Sequence, residues 1–115
     1  FMGAPPMNLI EGRVENGALM VNSATTLMPA PLEHAGSVTL GIRPEDVVLD
    51  AGGEASFQVD IVEELGGHRL LHGRLADQPF TVHLGKDTAA QSGEARISLK
   101  PGALRFFDSR TGRAL

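Results

Sequence analysis

The chain has 115 residues, no cysteine, 14 acidic and 10 basic side chains, and a formal net charge of −4. The missing cysteines exclude disulfides and thiolate metal sites, and the acidic balance opposes nucleic-acid binding, which rests on clustered Lys and Arg. Five Phe with no Trp or Tyr are too few for base-stacking platforms.

In chain order, Asn8–Glu15 carries Leu9, Ile10 and Val14 and fits a strand. Asn16-Gly17 is a type I′ hairpin signal, with Ala18–Val21 as the return strand. Asn22–Gly36 holds Pro29, Pro31 and small residues without a period and reads as a loop, with Leu27, Met28 and Leu32 available to plug a core. Ser37–Ile42 alternates and reads as a strand; Pro44 breaks it, and Glu45-Asp46 after that proline suits one short helical turn. Val47–Leu49 is a short strand and Asp50–Glu54 a turn.

Ala55–Leu65 is the longest predicted strand; Phe57, Val59 and Ile61 share a parity that Val62 breaks, which points to a bulge or to burial on both faces. Gly66-Gly67 is a second hairpin turn before the strand His68–Leu75, and Ala76–Gln78 a third before Pro79–Leu84. After the polar stretch Gly85–Gly93, Ala95–Leu99 and Ala103–Phe107 read as a final hairpin-like pair around Lys100-Pro101-Gly102. The expectation is an all-β domain of eight or nine short strands, a small barrel or sandwich with one Pro-rich loop. Its core is expected to include Ile42, Val47, Phe57, Val59, Ile61, Leu70, Val82, Ile97, Leu99 and Phe106.

No catalytic constellation emerges. None of Ser23, Ser37, Ser56, Ser92, Ser98 and Ser109 sits in a Gly-x-Ser-x-Gly elbow. His68 and His72 fall on one side of a strand about 13 Å apart, too far to share an ion, while His83 on the next strand can approach one of them. Three half-exposed strand histidines are the favoured reading over a metal site. Adjacent Glu63 and Glu64 point to opposite faces and cannot act together. There is no P-loop, and neither Lys86 nor Lys100 lies in a glycine-rich strand-to-helix turn. The best-defined local feature is Gly41-Ile42-Arg43-Pro44-Glu45-Asp46, read as a strand end and rigid corner that Arg43 and Glu45 can fix by a mutual or cross-strand ion pair, or as a contact surface for a partner.

No apolar run approaches the roughly 20 residues of a membrane-spanning helix, and no basic leader precedes an apolar segment, so a cytoplasmic address is expected. The chain starts at Phe1 with dense, non-repetitive sequence, so it is expected to be one domain of a longer protein.

Three landmarks carry a resemblance. Phe1-Met2-Gly3-Ala4-Pro5-Pro6-Met7-Asn8-Leu9 is similar to the segment following the nucleotide-binding domain of sugar-importer ATPases. Gly41-Ile42-Arg43-Pro44-Glu45-Asp46 resembles the signature of their C-terminal regulatory domain. Phe107-Asp108 with Thr111-Gly112-Arg113 resembles that domain's closing motif. Over essentially its whole length the chain thus resembles the ATP-binding subunits of carbohydrate ABC importers of the maltose and glycerol-3-phosphate type. Leu71-His72-Gly73-Arg74 after Glu64-Leu65-Gly66 is closer to the glycerol-3-phosphate subgroup.

The resemblance implies an OB-type β-barrel, or TOBE domain, that holds two ATPase subunits together and receives regulatory signals. Implied partners are a second copy, the nucleotide-binding domain, the importer's membrane subunits and a cytoplasmic regulatory protein, at the inner face of the membrane. The family's catalytic elements, and with them ATP and Mg, belong to the upstream domain, so no catalytic, cofactor or metal residue carries over. The Pro-rich Asn22–Gly36 and Ala-rich Asp87–Gly93 stretches depart from the family pattern. Two other readings are a free-standing oxyanion-binding barrel using Arg43, Arg69 or Arg74, and an enzyme using the histidines.

Overall fold

A computed structural model of the chain describes residues 6–21, 26–29, 36–53, 55–85 and 93–115. These form ten strands: β1 (Asn8–Glu15), β2 (Ala18–Met20), β3 (Thr26–Pro29), β4 (Gly36–Ile42), β5 (Val47–Leu49), β6 (Ala55–Glu64), β7 (His68–Leu75), β8 (Gln78–Gly85), β9 (Gly93–Leu99) and β10 (Arg105–Asp108). Two 3₁₀ turns, Pro44–Asp46 and Pro101–Ala103, are the only helical segments among the described residues. One five-stranded sheet runs β10-β4-β1-β2-β3 and the other β5-β9-β6-β7-β8, with neighbours antiparallel throughout.

The expected strands are present, with two corrections. The stretch read as a loop, Asn22–Gly36, contains β3, which pairs only with β2. A proline and the lack of alternation hide an edge strand of four residues. Leu27 is buried there as expected; Leu32 lies outside the described residues. The second correction is that Ala95–Leu99 and Ala103–Phe107 are not a hairpin. β9 pairs with β5 and β6, whereas β10 pairs with β4, so the Pro101–Ala103 turn carries the chain from one sheet to the other.

Alternation builds one core between the sheets. Phe57, Phe80, Ile10, Leu19, Leu40, Ile42, Leu71 and Ile97 are its largest fully buried side chains. Phe57 and Phe80 meet edge to face, ring centres 5.6 Å apart, the geometry aromatic quadrupoles favour. Of the expected core, Ile42, Val47, Phe57, Val59, Val82, Ile97 and Leu99 belong to the cluster, and Phe106 packs against it half-buried. Leu70 is buried but stands apart from the cluster.

Ile61 is 62% exposed, against expectation. The β6–β7 register explains it: Val59 faces Gly73 and Ile61 faces His72, so Asp60 is an extra residue. That bulge reverses the phase of β6, turning Ile61 outward and Val62 toward the core. Gly73 permits the close approach at this point, since a Cβ there would stand 1.8 Å from the Gln58 carbonyl oxygen.

Two side-chain amides join the sheets where β1 meets β8. Asn8 Nδ2 donates to the Thr81 carbonyl and the Thr81 N–H donates to Asn8 Oδ1, both at 2.8 Å. Reciprocally, the Glu11 N–H donates to Gln78 Oε1 at 2.8 Å and Gln78 Nε2 donates to the Glu11 carbonyl at 3.0 Å. Each carboxamide imitates a neighbouring peptide group and satisfies backbone that has no ladder partner on that side. Asn8 is the one buried polar residue among the described residues, and no buried side-chain polar atom there lacks a partner.

Candidate functional site

The motif Gly41–Asp46 spans the end of β4 and the 3₁₀ turn leading to β5, which is where the chain passes from the first sheet to the second. Gly41 is covered: a Cβ there would meet Met7 Sδ at 2.7 Å, with Phe107 and Leu9 next nearest. Ile42 and Pro44 are fully buried. Arg43 is extended (φ −74°, ψ 146°), as a residue before proline must be, and Pro44 opens the turn where its missing N–H costs nothing. The Asp46 N–H donates to the Arg43 carbonyl at 3.0 Å, and the Val47 N–H caps the turn on the Pro44 carbonyl.

The motif is thus a folded corner. Among the described residues the ion pair expected of Arg43 and Glu45 does not form: both side chains are exposed and no salt bridge engages either. Backbone hydrogen bonds and the buried proline fix the corner instead. The closing motif is also a turn: Asp108 Oδ1 accepts the N–H groups of Arg110 and Thr111, and the Asp108 N–H donates to the Arg113 carbonyl at 2.8 Å. That return pairs Phe107 with Ala114.

Charged side chains gather on β6 and β7. Arg74 holds Asp60, the bulged residue, through two hydrogen bonds of 3.1 Å. The Arg74 guanidinium keeps the Asp60 carboxyl below its ordinary value, and the carboxylate raises Arg74 in turn. Arg69 pairs with Glu64 at 2.7 Å, and His72 Nε2 lies 2.9 Å from Glu63 Oε1. The three arginines considered for an oxyanion therefore do not converge. Arg69 and Arg74 sit five residues apart on β7 and face opposite ways, each on its own carboxylate, while Arg43 stands at the corner.

His68 and His83 come together, ring centres 4.8 Å apart, while His72 is held by Glu63 and Thr81. No group of three His, Asp or Glu able to hold a metal ion occurs among the described residues. Ser109 and Thr39 hydrogen-bond the two oxygens of Glu11, at 3.0 and 2.9 Å, with no histidine in the cluster. Ser23, Ser92 and Lys86 lie outside the described residues. A cavity of about 440 Å³ opens between the sheets over Val21, Leu27, Ala55 and Leu75, with Arg74 and Arg96 on its wall. Both arginines are already engaged, Arg96 with the Gly53 carbonyl at 2.8 Å.

An all-β domain with a folded inter-sheet corner is what this geometry defines. Residues 3–47 match the MalK OB fold domain and residues 40–107 match the TOBE domain; the second match covers more than half of the chain, which belongs to the TOBE domain family. The two matches overlap over residues 40–47, the stretch that holds the corner.

The relatives are narrower than the family. The chain is 47% identical over 116 residues to the sn-glycerol-3-phosphate import ATP-binding protein UgpC of Jannaschia sp. (strain CCS1), covering 100% of this chain and 33% of that protein. It is 35% identical to UgpC 2 of Agrobacterium fabrum (strain C58 / ATCC 33970), covering 100% of this chain and 33% of the relative. It is 36% identical to UgpC of Escherichia coli O157:H7, covering 98% and 34% respectively. The chain spans about a third of the length of the curated relatives it matches.

Proposed function

We propose that this chain is the regulatory and dimerisation domain of the ATP-binding subunit of an ABC importer, with sn-glycerol-3-phosphate as the transported solute. The observation that carries the reading is the end-to-end similarity to proteins named as sn-glycerol-3-phosphate import ATP-binding proteins, at 47% identity for one of them. In this reading ATP and Mg are bound by the nucleotide-binding part of the same subunit, which these 115 residues do not supply. The partners are a second copy, the importer's membrane subunits at the cytoplasmic face, and a cytoplasmic protein that controls import.

The test uses the complete subunit from the native gene, with and without residues 1–115. The complete subunit is expected to hydrolyse ATP, to dimerise, and to restore sn-glycerol-3-phosphate uptake to cells lacking their own ATP-binding subunit. The truncated form is expected to bind ATP but to lose stable dimerisation and uptake. Unchanged dimerisation and uptake after truncation would remove the proposed role, and a native gene without a P-loop would remove the importer assignment.

A further inference from the structure

The three strand histidines differ in how their rings are used. His72 is spoken for, with one ring nitrogen 2.9 Å from Glu63 Oε1 and the other 3.4 Å from Thr81 Oγ1. His68 and His83 touch each other instead, ring centres 4.8 Å apart and planes tilted by 34°. Among the described residues no hydrogen bond or ion pair engages either of these two rings. The β7–β8 register makes them diagonal neighbours: His68 faces Gly85 and His83 faces Leu70. Gly85 has no side chain, and no atom of the described residues lies within 4 Å of where its Cβ would be.

Two half-buried imidazoles on adjacent strands stand close enough to serve as a pair of ligands for one ion. An ion with metal–nitrogen bonds of about 2.0–2.1 Å holds two adjacent nitrogens about 2.8–3.4 Å apart, the lower end for the square-planar or octahedral geometry of Cu²⁺ and Ni²⁺ and the upper end for a tetrahedral ion. Rings with centres 4.8 Å apart must turn about their side-chain torsions to bring two nitrogens to that spacing. We propose that His68 and His83 form a two-imidazole site for a borderline divalent transition-metal ion, with water filling the remaining positions. Imidazole suits Cu²⁺, Ni²⁺ and Zn²⁺, and the usual affinity order puts Cu²⁺ tightest. Mg²⁺ and Ca²⁺, which take oxygen ligands, are excluded. The site stands on this chain's own residues and is independent of the importer reading.

The experiment is calorimetric titration of CuCl₂ and NiCl₂ into the untagged chain near neutral pH, for wild type, His68→Gln, His83→Gln and His72→Gln. One ion is expected to bind per chain. His68→Gln and His83→Gln are each expected to weaken binding at least about tenfold, as removal of one of two ligands must, and His72→Gln to leave it within about twofold. Ni²⁺ is also expected to raise the melting temperature of wild type and not of His83→Gln, because the unfolded chain does not hold the pair together. Equal affinity in wild type and in both His68→Gln and His83→Gln overturns the site. So does a loss in His72→Gln as large as theirs, which would put the ion at the Glu63 side of β7. A variant that fails to fold is replaced by the other member of the pair.

Discussion

Between Ala55 and Val59, β6 sends alternate side chains into the core, and Leu75 joins them from β7. Beyond Asp60 the same two strands carry Ile61 in solvent and the exposed pairs Arg69–Glu64 and His72–Glu63. The two halves share one ladder and one hairpin, so backbone pairing does not distinguish them. The difference is one bulged residue: before it β6 alternates into the core, and after it Val62 and Leu71 face the core while Ile61 stands among the exposed ion pairs. Burial of a full aromatic or aliphatic side chain contributes about 1.5–3 kcal/mol, whereas an exposed ion pair contributes about 0–1 kcal/mol. Stability on β6 should therefore concentrate before Asp60, Leu71 of β7 carries the core past it, and the exposed pairs of Glu63 and Glu64 sit after it.

The contrast breaks most sharply at Phe57. It is fully buried and stacked edge-on against Phe80. Phe57→Ala is expected to cost about 3–5 kcal/mol in denaturant unfolding. A loss below about 1 kcal/mol would mean that the near half is not where the fold is held.

Gly73→Ala is the next largest. The new Cβ would meet the Gln58 carbonyl carbon and oxygen, which are backbone and cannot swing aside, so the strands must part beside the bulge. A cost of about 1–3 kcal/mol is expected, in the range of overpacked cores. Gly85→Ala on β8, where no atom would be met, serves as the control, and equal losses at the two sites would contradict the close approach.

How much of this was legible in the sequence depended on distance along the chain. Asn16-Gly17 announced its hairpin, and both residues have positive φ, 51° and 76°. Val62 disclosed a bulge in β6, but the insertion falls at Asp60, a choice made by the register against β7 and not by β6 itself, so Ile61 was assigned to the wrong face. Lys100-Pro101-Gly102 disclosed a turn without saying which sheet the chain would enter next. The Asn8 and Gln78 amides gave no signal, because their partners lie 73 and 67 residues away. At the candidate site, the corner at Pro44 and the approach of His83 to one of the β7 histidines follow from local rules, while the register against β7 decides that it is His68. The unpaired state of Arg43 depends on which side chains the fold leaves within reach.

A smaller effect tests the far side of the boundary. Asp60 is held below its ordinary value first by the hydrogen bond from Arg74 and then by its charge. A carboxyl depressed in the folded state adds stability above its unfolded value of about 3.9 and loses it as pH falls through the folded value. Wild type and Asp60→Asn are therefore expected to differ by a constant amount above about pH 5, and the gap should close below about pH 4. A gap that persists undiminished into acid would mean that Asp60 acts through the bulge geometry and not through its charge.

The smallest expected effect is the most discriminating about the bulge. Simple alternation puts Ile61 beside Phe57 and Val59, and a buried Ile cut back to a polar residue costs several kcal/mol. With Asp60 bulged, Ile61 stands in solvent opposite His72. Ile61→Thr keeps the β-branch that strands favour and removes only exposed surface. Its expected cost is within about 0.5 kcal/mol in the same unfolding measurement. A cost above about 2 kcal/mol would place the side chain in the core, move the extra residue away from Asp60, and erase the division between the two halves of the hairpin.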